Sequence, residues 1–161
     1  MKPKNLLSRH GLLAALAGAW MLNALAVAGV TTPQSPDEVH TALRILASVY
    51  ADMESKLPGG QYDRLPHENQ EFQDGSGAMR DAVAKESPPF KTSVLSALDA
   101  TTKAAQNVAD TSASHDAAKV RAALDALAAS MRSLNDLFPE SLRAEPGSVP
   151  APQHGGPPPG K

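Results

Sequence analysis

The sequence predicts an all-α protein, an up-down-up-down four-helix bundle with a short second helix and a disordered C-terminal tail. Three observations carry this. Apolar residues recur at 4-3-4-3-4 spacing in two stretches, Val39 to Leu57 and Val120 to Phe138, the stripe of an amphipathic helix facing a core. Nowhere does the apolar–polar alternation of a strand appear. Residues 145–161 are rich in proline and glycine (Pro146, Pro150, Pro152, Pro157 to Pro159), a composition that buries no core. With 161 residues, 42% of them hydrophobic, the chain has material for one modest domain rather than two.

The N-terminus reads as a signal peptide over residues 1–28. Lys2, Lys4 and Arg9 precede an apolar run from Gly11 to Leu22, and Ala24-Leu25-Ala26 and Ala26-Val27-Ala28 both present the small-x-small pattern of a cleavage site. Cleavage would leave 12 basic against 17 acidic residues, a net charge of about −5, in a periplasmic or secreted protein with no stable membrane insertion. The rival reading keeps Gly11 to Val30 as an uncleaved anchor, since about 20 residues span a bilayer.

Residues 29–34 form a linker and the bundle covers 35–143. Ser35-Pro36-Asp37-Glu38 reads as a helix start, with Ser as N-cap, Pro in the first turn and Glu completing a capping box. Val39, Leu43, Leu46, Tyr50, Met53 and Leu57 make the first stripe, and Pro58-Gly59-Gly60 stops it. Residues 58–76 are the least regular part: a short helical turn around Phe72 is expected, broken by Gly75-Ser76-Gly77. The second helix is then short, Ala78 to Lys85, with Met79, Ala82 and Val83 inward. Ser87-Pro88 starts the third, which runs to about Asp110 with Phe90, Val94, Leu98, Ala105 and Val108 at bundle spacing. A polar turn, Thr111 to Ser114, leads to the fourth, which Pro139 ends. The tail occupies 144–161.

Absent residues exclude much chemistry. Without cysteine there is no disulfide, thiolate metal site, cysteine nucleophile or thioether-attached haem. A net charge of −2, with no basic cluster, argues against a nucleic-acid surface. No nucleophile elbow, phosphate loop or paired Glu-x-x-His set is present, so no enzyme is expected.

The fourth stripe ends Met131-Arg132-Ser133-Leu134-Asn135-Asp136-Leu137-Phe138. This register resembles the cytochrome c prime family, four-helix bundles whose last helix carries Cys-x-x-Cys-His-x-x-(Phe/Tyr)-Arg; the soluble b-type bundle cytochromes share the architecture. Arg132, Ser133, Asp136 and Phe138 look like family residues. The chemically required ones differ: Met131 and Leu134 stand at the cysteine positions, Asn135 at the haem-ligating histidine, and Pro139 at the arginine. The resemblance implies a bundle, a haem site between its helices and, in many members, a homodimer. A carboxamide is a poor iron ligand, so these are degenerate haem-motif positions. Leu43, Phe90, Met131 and Leu134 are expected to fill the haem space.

Three function classes follow. The first is an exported, haem-free bundle, a binding or sensing protein for an unknown protein or small ligand, using a groove or the 58–76 segment. The second is an electron-transfer or gas-binding protein with non-covalent haem, for which His40 is the remaining nitrogen ligand, at about the height of Asn135. The third is a periplasmic chaperone or metal-stress bundle using its acidic surface and tail. Met53 and Met79 form a candidate soft-metal pair at the end of the bundle opposite His40; Met53 lies roughly 20 Å along the helix from His40. His67, His115 and His154 are scattered without ligand spacing, and Asp37 beside His40 is ordinary helix-start chemistry.

Overall fold

Proline sets the start of three of the four helices. The computed structural model describes residues 30–148 and 150. Among them are α1 (Pro36–Lys56), α2 (Leu65–Ala82), α3 (Pro88–Ser112) and α4 (Ala117–Asn135), with 3₁₀ turns at Tyr62–Arg64 and Glu140–Leu142 and no strand. The expected signal peptide and the tail from 151 onward lie outside the described residues. Within them, no helix is long and apolar enough to cross a membrane.

The helix starts are built differently from the expectation. Ser35 and Ser87 occupy the N-cap positions, but neither hydroxyl makes a cap hydrogen bond. Their carbonyls accept from Val39 and Lys91 instead, and the proline that follows each removes one of the orphan N–H groups a cap would satisfy. The side-chain cap is at α4, where Asp116 accepts from the N–H groups of Ala118 and Lys119 at 3.0 and 3.2 Å.

The second helix corrects the sequence reading most. It is 18 residues long and begins at Leu65, and Gly75-Ser76-Gly77 lies inside it rather than breaking it. A helical glycine costs about 1 kcal/mol relative to alanine, but tertiary packing offsets this at Gly75. A Cβ there would meet Ile45 Cγ2 at 2.8 Å and Leu46 Cδ2 at 3.2 Å, so the missing side chain lets α1 and α2 approach. Ser76 donates to the Phe72 carbonyl at 2.8 Å and is 3.3 Å from the Thr102 hydroxyl of α3.

Cross-helix pairs give the topology. Lys56 reaches Glu68 while Ile45 faces Gly75, so α2 runs antiparallel to α1. Arg80–Asp99 and Asn69–Gln106 do the same for α2 and α3, and Arg121–Glu54 with His40–Leu142 for α4 and α1. The stripe residues Val39, Leu43, Leu46, Tyr50 and Met53 meet Phe72, Met79, Phe90, Val94, Leu98, Leu124, Leu127, Met131 and Leu134 in one core. Each such side chain contributes about 1.5–3 kcal/mol when fully buried.

The folded unit is longer than 35–143. Pro33 is buried, and Gln34 donates its backbone N–H to Glu86 and its side chain to the Lys85 carbonyl. At the other end Ala144 is buried. α4 itself stops at Asn135, before Pro139, and Phe138 enters the core from the turn beyond it.

Candidate functional site

At the His40 end of the bundle, side chains fill the core between the helices, with grooves only on its surface, one of about 500 Å³ between α1 and α2; a polar corner opens at the other end. In the filled core, Phe90 and Phe138 meet edge to face, centroids 5.7 Å apart, above buried Met131 and Leu134. Asn135 is 1% exposed. Its Nδ2 donates to the carbonyls of Met131 and Ala144, both at 3.1 Å, and its Oδ1 accepts from the Ala144 N–H at 3.0 Å. His40 is half-buried, with Nδ1 2.9 Å from the Leu142 carbonyl. The degenerate motif positions therefore do not fit a haem: Met131 and Leu134 are core side chains, and Asn135 spends its polar atoms on the backbone. The level match of His40 with this end of α4 follows from its contact with Leu142.

Met53 and Met79 are not brought together. Ala78 and Ala82 line a groove with Thr41 and Ala42, which sets Met79 at the His40 end of α1. Met53 is more than ten residues further along α1, roughly 17 Å away. Antiparallel pairing of α1 with a full-length α2 causes the separation, and both thioethers are fully buried as packing. Among the described residues no group of three or more His, Cys, Asp and Glu side chains is placed to hold a metal.

The polar corner lies at the opposite end, where α1 turns into α2. Gly60, at φ +65°, allows a tight turn that returns the Gln61 N–H to the Lys56 carbonyl at 3.0 Å. The 3₁₀ turn then presents Arg64. It is tied to the α3–α4 turn by Tyr62 edge-on to His115, 5.8 Å between centroids, and by His115 Nε2 3.4 Å from Asp63. His115 itself sits at φ +51°, the left-handed region that non-glycine residues enter at a cost.

Lys56, Gln61, Arg64, His67 and Glu68 surround a concavity of about 330 Å³. Behind it, Asp52 and Glu68 are each 3% exposed. Lys56 Nζ is 2.8 Å from Asp52 Oδ1 and 3.7 Å from Glu68 Oε1. Glu68 Oε2 is buried without a donor. Burial first, then hydrogen bonding and repulsion from Asp52, push the Glu68 carboxyl up to about 7; a hydrogen bond between two carboxyls needs a proton on one of them. The Asp52 hydrogen bond, the largest influence, holds the Lys56 ammonium above its ordinary value despite partial burial. Arg64 is exposed, and its guanidinium makes no hydrogen bond or ion pair with the described residues. His67 Nε2 lies 3.4 Å from Glu71 Oε1.

Sequence reasoning names the 58–76 segment as a possible ligand region but misses the pairing of Glu68 with Asp52 and Lys56, although a signal existed. Ala42, Ile45, Val49, Asp52 and Lys56 form a second stripe of α1 at 3-4-3-4 spacing, turned toward α2, and its last two members are charged. On α2, Leu65, Glu68, Phe72, Ser76 and Met79 form the partner stripe. The glycines that seemed to break the helix hid it. No family model, curated protein or solved structure matches the chain.

Proposed function

We propose that this protein is an exported, haem-free four-helix bundle that acts by binding a small ligand rather than by redox chemistry or catalysis, and that the ligand occupies the corner lined by Lys56, Gln61, Arg64, His67 and Glu68. One observation carries the reading. A buried carboxyl, Glu68, held by Asp52 and Lys56, walls a solvent-open concavity in which the Arg64 guanidinium makes no hydrogen bond or ion pair with the described residues. Perturbed titratable groups lining a cleft with convergent polar groups are the usual mark of a binding site.

Two further features support it. The resemblance to cytochrome c prime points to a bundle descended from a haem protein, and the packing of Met131, Leu134, Asn135 and Phe138 leaves that space to side chains. Export is read from Lys2, Lys4, Arg9 and the apolar run that follows. The alternative with non-covalent haem would use His40 through Nε2, since its Nδ1 is 2.9 Å from the Leu142 carbonyl, and would need haem space outside the packed Met131 and Leu134 side chains.

Amide chemical-shift mapping with a panel of anionic, cationic and neutral small molecules tests the reading. Saturable shifts centred on residues 56–68 are expected. A panel whose hits all map to the end around His40 and Asn135 would overturn it.

A further inference from the structure

Building on that reading of the corner, we infer that its ligand is a small oxyanion, a carboxylate, sulfate or phosphate group on a free small molecule, and that the Asp52–Glu68 pair keeps a proton while it is bound. The lining is the reason. Three of the five residues, Lys56, Gln61 and Arg64, offer N–H donors toward one concavity. The Arg64 fork is planar and suited to two oxygens of one oxyanion, and neither it nor the Gln61 carboxamide has a side-chain partner among the described residues. Lys56 donates to Asp52 at 2.8 Å, pairs with Glu68 at 3.7 Å and lines the same concavity. At about 330 Å³ the space suits a compact molecule rather than a polymer segment.

The carboxyls decide when an anion is tolerated. Glu68 is acted on by Asp52 and Lys56 from α1 and by Glu71 from its own helix. His67 and Arg64 line the same concavity, and α3 meets this stretch through Gln106, bonded to Asn69 at 2.9 Å. With one proton on the Asp52–Glu68 pair, Lys56 neutralises the remaining charge, and the Arg64 guanidinium stands at the mouth as a cationic donor, with Glu71 as the opposing charge. Loss of that proton puts a second buried negative charge behind the ligand. An anion and the proton therefore bind with mutual support, which linkage makes reciprocal.

Sodium sulfate is a suitable probe because its charge is constant over the range of interest. The full-length precursor is expressed, and the purified chain is titrated at constant ionic strength at pH 6 and pH 8.5, with amide shifts as the readout. Saturable one-to-one binding confined to residues 56–68 is expected, about tenfold tighter at pH 6, the equivalent of one coupled proton-binding unit. Glu68→Gln should keep sulfate binding and lose the pH dependence, whereas exposed Arg64→Ala should weaken binding at both pH values and leave the dependence intact. Shifts that grow linearly with salt across the whole surface would overturn the inference, as would a Glu68→Gln variant with an unchanged pH dependence. A neutral or cationic compound that saturates residues 56–68 where sulfate does not would overturn the anion and leave the corner as the ligand site. No ligand of any charge acting there would overturn both.

Discussion

Asn135 and Ala144 are joined by a reciprocal pair of hydrogen bonds, Nδ2 to the Ala144 carbonyl at 3.1 Å and the Ala144 N–H to Oδ1 at 3.0 Å. A primary carboxamide has the donor and acceptor to match one peptide unit, and here it closes the chain back onto the end of α4. Asn135→Ala would leave both Ala144 backbone groups buried without partners. The expected cost is about 2–4 kcal/mol, measured by urea unfolding followed by circular dichroism. Asn135→Asp sets a carboxylate oxygen against the Met131 and Ala144 carbonyls, so at neutral pH it should cost at least as much as alanine. A loss under about 0.5 kcal/mol for alanine would show that the clasp carries no stability.

The glycines of α2 should respond in opposite directions. Gly75→Ala brings a Cβ to 2.8 Å from Ile45 Cγ2, and the Ile45 side chain or the helix pair must shift to admit it, with an expected destabilisation of about 1–3 kcal/mol. Gly77 has nothing within 4 Å of its Cβ position, so Gly77→Ala should stabilise by about 0.5–1 kcal/mol through helix propensity and a stiffer unfolded chain. Melting temperatures of the two variants, recorded side by side, check the sign of each.

Glu68 makes stability fall as pH rises toward neutrality. Its carboxyl is raised from 4.5 to about 7, by burial first and by Asp52 next, so between these values the folded chain retains a proton that the unfolded chain releases. The contribution is fully present below pH 4.5 and is lost progressively as pH climbs to about 7, on the order of 3 kcal/mol. Lys56 stays charged across this window and does not alter the sign. In denaturant titrations at pH 4.5 and pH 8, Glu68→Gln should lack this decline and be the more stable protein at pH 8. Parallel curves for the two proteins would show that Glu68 is not the titrating group.

Much of the fold was readable because three stripes of apolar side chains specify helices that bury one face. The stripes of α1 and α4 lie where the 4-3-4-3-4 spacing puts them, the α3 residues Phe90, Val94 and Leu98 are buried as expected, and Phe138 is in the core although α4 ends at Asn135. α2 was misread because glycine is judged by local propensity, whereas Gly75 is there to let Ile45 in. The same misreading cost the site. With residues 58–76 taken as loop, Glu68 had no helix to place it against Lys56. A helix starting at Ala78 would put Met79 beside Met53, whereas one starting at Leu65 carries Met79 to the other end of α1. His40, Met131, Leu134 and Asn135 were located at one end from helix register alone, but the clasp to Ala144 depends on a turn no periodicity encodes.

The separation of a packed apolar end from an open polar corner is tested most directly by colour. The precursor should be produced in a haem-competent host, the exported form purified, and its ultraviolet–visible spectrum and intact mass recorded before and after addition of haemin. A colourless protein of signal-cleaved mass is expected, its absorption resting on Tyr50 and Tyr62, with no saturable Soret band on adding haemin. A stoichiometric Soret band released by acid-acetone, and abolished by His40→Ala, would contradict it.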